Sequence, residues 1–162
     1  MSEAVFRAAR EEDMPEIRRI AKAAWTPIYA HFRERMGEDL WSREHPGDPL
    51  ERKADSVESY VRERPEEAFV VELEGRVVGF CTFALRDNGV GVINNNAIDP
   101  ALQGRGLGSA MYRECLRRMK EAGMVYATVH TGLDPSHAAA RRAYEKVGFE
   151  QVRPHVEYYL KL

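Results

Sequence analysis

Three apolar runs, residues 68–73, 77–85 and 90–98, follow one another with only short turns between them, and this constrains the fold more than any other feature of the chain. Rich in Val, Phe and Ile, such runs read as strands. Glu74-Gly75 and Arg86-Asp87-Asn88-Gly89 are turn sequences, and connections this short join antiparallel neighbours. The centre of the chain is therefore expected to be a three-strand antiparallel meander.

Helical spacing flanks the meander. Ile17, Ile20, Ala21 and Ala24 recur on one stripe, with Asp13 expected as N-cap and Pro15 in the first turn. Residues 25–49 show no clear period. Leu50, Ala54, Val57 and Val61 restore a helical stripe, which Arg64-Pro65 ends. After the meander, Met111, Tyr112, Cys115, Leu116 and Met119 mark a helix stopped by Gly123. Val125, Ala127 and Val129 alternate as a strand. Asp134-Pro135 opens another helix with Ala140, Ala143, Tyr144 and Val147 inward, ended by Gly148. Val156, Tyr158, Leu160 and Leu162 alternate as an expected last strand, and Val5–Ala8 as a first one. The order predicts a mixed α/β (α+β) domain: helices packed on a mostly antiparallel sheet.

The 162 residues suit one domain, 1–162, with a single core. A net charge of -2 offers no broad positive field for nucleic acid or an anionic membrane surface. No apolar run approaches the ~20 residues that span a bilayer. The start, Met1-Ser2-Glu3-Ala4-Val5-Phe6-Arg7, carries no leader pattern. Cys81 and Cys115 lie inside apolar segments, forming neither a metal-ligand pair nor a disulfide framework, so both read as buried hydrophobes in a reducing cytoplasm.

Chemistry concentrates where the third strand ends: Asn94-Asn95-Asn96-Ala97-Ile98-Asp99-Pro100-Ala101-Leu102-Gln103-Gly104-Arg105-Gly106-Leu107-Gly108-Ser109. Glycines here let the backbone turn tightly and present successive N–H groups. The opening helix adds unpaired N–H groups and its positive dipole end, so an anion such as a pyrophosphate fits. The same glycines also read as a close helix–sheet contact. A P-loop is excluded because no Gly-Lys pair occurs. A dinucleotide fingerprint is excluded because the spacing is Gly104-x-Gly106-x-Gly108 after a meander strand.

Gln103-x-x-Gly106-x-Gly108 resembles the Q/R-x-x-G-x-G/A motif of the GNAT superfamily of N-acetyltransferases. About thirty residues on, the segment from His137 through Ala140, Tyr144, Glu145, Lys146, Gly148 and Phe149 is similar to that superfamily's N-x-x-A-x-x-x-Y-E-K-x-G-F signature. The element order is similar over the whole chain. The resemblance implies a GNAT-like fold, a central sheet of about six or seven strands flanked by about four helices. It implies acetyl-CoA as acyl donor, no metal, and transfer to a primary amine of a small molecule or protein in a ternary complex.

By the same resemblance, the pantetheine arm pairs with the backbone of Asn96, Ala97 and Ile98, near a bulge that splays this strand from the next. The pyrophosphate rests on Gly104, Arg105, Gly106, Leu107, Gly108 and Ser109, with Gln103 beside them. A backbone N–H of the strand serves as a one-donor oxyanion hole. Tyr144 matches the tyrosine that protonates the departing thiolate, although it also belongs to its helix's inner stripe. His137 stands where the family has asparagine; it can donate to the cofactor or face solvent.

An α-amine is roughly 10–20% neutral at pH 7, a lysine-like amine about one part in 2,500, so the latter needs a base more urgently. His130, at the end of the fifth strand, is the side-chain candidate; it also reads as a histidine hydrogen-bonded at a strand end. Trp25, Tyr29, His31 and Trp41, with Tyr158 and Tyr159, are aromatics in the regions where the family builds its acceptor pocket, and Asn94 adds an amide. Trp25, Tyr29 and Asn94 are the substrate-binding candidates. The lysines and arginines of the last two helices read as solvated faces. A non-catalytic acyl-CoA-binding sensor is the alternative function, and edge strands allow a homodimer.

Overall fold

A computed structural model describes residues 4–162; the leader reading at Met1-Ser2-Glu3 lies outside them. Five strands, β1 (Val5–Ala8), β2 (Ala68–Leu73), β3 (Arg76–Leu85), β4 (Val90–Ile98) and β5 (Tyr126–Val129), form one sheet in sequence order. All neighbours are antiparallel except β4 and β5, which are parallel. The meander β2–β3–β4 stands as its turn residues dictate.

Helices α1 (Met14–Met36), α2 (Glu38–Glu44), α3 (Pro49–Glu63), α4 (Leu107–Glu121) and α5 (Ala138–Lys146) cover the two faces. One core, beneath α1 and α3, contains Ile17, Ile20, Val57, Val70 and Phe80; the other, beneath α4 and α5, contains Phe69, Phe83, Met111, Cys115 and Tyr144. Successive residues of β2 divide between the two, as pleating requires. Both cysteines are free and buried, and contact with Cys115 adds to the burial that raises the Cys81 thiol well above its ordinary value.

Four sequence expectations are corrected. Residues 25–49 are mostly helical: α1 continues through the exposed Pro27 to Met36, and α2 follows after Gly37. Packing outweighs the proline's lost hydrogen bond, because the extension seats Tyr29 against Trp41 and His45, and Phe32 against His137. Asp13 occupies the N-cap position of α1, but its side chain makes no capping hydrogen bond to that helix. Its carboxylate takes both terminal nitrogens of Arg7, at 2.7 and 2.9 Å, and the Arg10 N–H at 2.8 Å. Asp134 caps a short 3-10 turn, Pro135–His137, before α5 begins. Finally, residues 150–162 form no strand, so the sheet has five strands rather than six or seven. Val156, Tyr158 and Leu160 alternate but lie exposed; a period of two needs a neighbouring strand before it buries a face.

Candidate active site

The site grows from an interruption in β4. Asn96 pairs with Cys81 and Ile93 with Phe83, so Asn94 and Asn95 together oppose Thr82 in a bulge. The buried Thr82 hydroxyl holds it: Oγ1 accepts from the Asn95 N–H at 3.0 Å and donates to the Asn95 carbonyl at 3.1 Å. On the other edge of β4 the parallel ladder with β5 stops at Ile93–Val129. β5 itself ends there, and among the described residues the β5-side backbone of 94–98 has no strand partner. Asn96, Ala97 and Ile98, the expected pantetheine contacts, line this opening.

Immediately downstream lies the glycine loop. Gly104 and Gly106 have φ of +79° and +81°, a region that favours glycine, and a Cβ at either would meet nothing within 4 Å. Both therefore answer to backbone conformation and face open space rather than a tight helix–sheet contact. Gly106 is the N-cap of α4, and no side chain caps that terminus. The amides of Leu107, Gly108 and Ser109 are thus first-turn donors with no intrahelical acceptor. Gln103 and Arg105 are exposed beside them, and Ser109 is buried. A helix dipole and first-turn donors of this kind are chemically suited to an anion.

Two tyrosines meet β4 from the α4/α5 side. Tyr112 donates to Asn96 Oδ1 at 2.8 Å, and the Asn96 amide nitrogen lies 3.4 Å from the Tyr144 hydroxyl. Their rings stand 4.6 Å apart, and both side chains are buried. Burial raises the Tyr144 phenol above its ordinary value and Tyr112 far above it. Tyr144 therefore keeps its proton through neutral pH. In the sequence Tyr112 stands only as part of a helical stripe, and its one signal is a phenol among apolar residues.

The opposite face, beneath α1 and α3, carries a second polar group. Tyr60 Oη lies 2.9 Å from Glu67, donates to the Phe83 carbonyl at 2.7 Å, and accepts from Asn94 at 3.2 Å. Burial and the Glu67 contact push Tyr60 up to about 12. Burial pushes Glu67 upward too, but the Leu85 N–H, Tyr60 and Arg64 outweigh it, leaving the carboxyl below its ordinary value. Lys53 Nζ donates to Asn95 Oδ1 at 2.5 Å and stands 4.3 Å from the Trp25 ring centre. No motif marked Tyr60, Glu67 or Lys53.

The remaining candidates are dispersed. His130 is exposed, one residue past β5. His137 is turned toward Asp134, Nδ1 to carboxylate 2.7 Å, and stacks on Phe32. Gly132 allows this closeness, since a Cβ there would lie 2.6 Å from that Nδ1. Tyr29 lines a cleft of about 700 Å³ with Trp41 and His45, one helical turn beyond Trp25. Tyr158 and Tyr159 lie on the exposed tail. Among the described residues there is no group of three or more potential metal ligands, and no helix long and apolar enough to cross a membrane.

Residues 16–149 match the Acetyltransferase (GNAT) family. Over 94 residues the chain is 29% identical to a mycothiol acetyltransferase of Thermomonospora curvata, covering 58% of this chain and 31% of that protein. Over 93 residues it is 34% identical to the one of Saccharomonospora viridis, covering 52% and 30%. The chain thus spans about a third of the length of the curated relatives it matches. Its fold is that of the PaiA N-acetyltransferase of Thermoplasma acidophilum in complex with coenzyme A, with TM-score 0.72 and 14% identity over 91% of this chain and 90% of that one. The aminoglycoside N-acetyltransferase AAC(6')-Iy in complex with CoA is similar at TM-score 0.67 and 16% identity, covering 100% and 97%.

Proposed function

The chain belongs to the GNAT acetyltransferase family, and on that basis we propose that it is an acetyl-CoA-dependent N-acetyltransferase. It moves the acetyl group directly to a primary amine in a ternary complex, with residues 1–162 as one catalytic domain. The acceptor class is a small molecule or an exposed protein amine, and the names of the matched proteins favour the former. The location is cytoplasmic. One observation carries the reading: the opened β4 edge runs directly into an uncapped, unobstructed helix N-terminus.

These parts suit coenzyme A. The N–H groups of Gly104 through Ser109 would hold the pyrophosphate, and the backbone of Asn96, Ala97 and Ile98 would pair with the amides of the pantetheine arm. When bound, acetyl-CoA supplies an activated acyl group; the protein supplies position and electrostatics. A backbone N–H of β4 offers the oxyanion a donor. Tyr144 holds a proton at Oη, next to Asn96, in position to meet a departing thiolate. Tyr112 fixes the Asn96 amide so that its nitrogen faces Tyr144. The acceptor approaches from the α1/α3 face, where Trp25, Tyr29 and Asn94 lie, and His130 stands just past the end of β5 as the candidate base.

Calorimetric titration with acetyl-CoA tests the cradle. One-to-one binding is expected, lost in Gly106→Glu, whose carboxylate occupies the anion's place. A folded wild-type protein that takes up no acetyl-CoA overturns the proposal. Release of free thiol in an amine screen separates turnover from a binding-only sensor.

A further inference from the structure

Cations on this side of the molecule generally have carboxylate partners. Arg18 meets Glu51, Asp55 and Glu58, and Lys22 meets Glu51. Lys53, on the same helix as those acids, is different. Half-buried, it has only neutral partners within reach among the described residues: the Asn95 amide oxygen at 2.5 Å and the Trp25 ring at 4.3 Å. An amide oxygen and an indole face both favour an ammonium over a neutral amine. The surroundings are therefore arranged for a cation, yet lack the anion that ordinarily accompanies one away from water. Burial alone lowers its pKa, the direction an arriving anion would reverse.

The place of Lys53 in the fold gives these contacts a meaning. Asn95 sits in the β4 bulge, its peptide clamped by Thr82, and the next residue, Asn96, reaches Tyr144. The cradle and Tyr144 belong to the α4/α5 face of the sheet. Lys53 and Trp25 come from α3 and α1 on the other face, so the ammonium lies at the reacting strand on the side left to the acceptor.

We propose that Lys53, supported by Trp25 and Asn95, recognises an anionic group on the acceptor, so that the amine acetylated carries a carboxylate or a comparable small acid. The inference rests on the acetyl-transfer reading above and narrows its substrate class. Polycationic acceptors meet a like charge at this point and are poor substrates.

Initial rates of thiol release test it, with amines paired so that only the acid differs: methionine and methioninamide, phenylalanine and phenylalaninamide, with spermidine and kanamycin as polycations. Wild type is expected to favour the acid of each pair by tenfold or more in kcat/KM. Lys53→Met, which keeps the stem on Trp25, is expected to lose that preference through KM, and Lys53→Arg to recover part of it. Preference for the amides or polycations overturns the proposal, as does a fall in kcat at unchanged KM for both members of a pair.

A second readout does not depend on turnover. With lysines labelled by 13C reductive methylation and coenzyme A present, N-acetylglycine is expected to shift the Lys53 resonance, identified by its loss in Lys53→Met, whereas N-acetylglycinamide is not. No shift, or equal shifts, overturns the proposal. Acetyl-CoA titration separates the two levels: a wild type that fails to bind it overturns both readings, whereas binding with a silent Lys53 overturns only this one.

Discussion

Two glycines two residues apart should respond to alanine in opposite ways, and the structure supplies the magnitudes. Gly106 sits at φ +81°, where an L-residue costs about 1–2 kcal/mol, partly offset by about 0.4–1 kcal/mol from the stiffer unfolded chain. Its Cβ would meet nothing within 4 Å, so no steric cost is added. Gly108 lies inside α4 with its prospective Cβ 4.0 Å from Ala143, an ordinary contact. Alanine there should stabilise the helix by about 0.5–1 kcal/mol. With a urea m-value of about 2 kcal/mol/M, Gly106→Ala lowers the midpoint by up to roughly 0.8 M, and Gly108→Ala raises it by a few tenths. Acetyl-CoA separates conformation from recognition. At a hundred times the wild-type Kd it stabilises the protein by about 2.7 kcal/mol; a tenfold weaker site leaves about 1.4 kcal/mol. We expect that smaller increment for Gly106→Ala, because a shift of its positive φ would displace the first-turn amides that follow it, and the measurement is equilibrium urea unfolding with and without ligand. Gly106→Ala with wild-type stability and the full increment would falsify the account of the loop.

Further outcomes follow from the same geometry. Tyr144→Phe should reduce kcat by about a hundredfold, within the range of a lost general acid, while acetyl-CoA affinity stays within twofold by calorimetry; an unaltered rate removes Tyr144 from the mechanism. Thr82→Val leaves the Asn95 N–H and carbonyl without their hydroxyl partner and should cost about 2 kcal/mol in urea unfolding, with a lower kcat from a loosened bulge. The Arg7 pair outweighs burial and holds the Asp13 carboxyl below its ordinary range. A folded-state pKa below the unfolded one contributes stability above about pH 4, and that contribution fades as pH falls further. Asp13→Asn should therefore be less stable at pH 7, with the gap closing below about pH 4; a gap constant from pH 7 to 3 would refute the pairing.

What was legible in the sequence was legible because it is local. The meander follows from alternating runs joined by short turns, and the turn residues exclude other pairings. The turn between β4 and α4 likewise follows from Gly104 and Gly106, where the backbone takes positive φ. Helices α3, α4 and α5 follow from stripes of period 3.6 and from their stop residues. Pro27, by contrast, points locally to a break, and only the contacts of Tyr29 and Phe32 with distant residues carry α1 past it.

The polar contacts between β4 and the α1/α3 face were decided by tertiary structure. Lys53 and Asn95 are 42 positions apart, and Tyr60 and Asn94 34 apart, so neither pair leaves a trace in any short window. Tyr112 looks like one more core residue until α4 sets it against Asn96. The alternation of the last residues shows the converse: a strand pattern without a strand beside it stays exposed. Periodicity and turn chemistry determine which elements form, because their energies lie within a few neighbouring residues. The place where the β4–β5 ladder ends, and the side chains that meet β4 beyond it, depend on how the helices settle on the two faces of the sheet, and only the folded chain determines that.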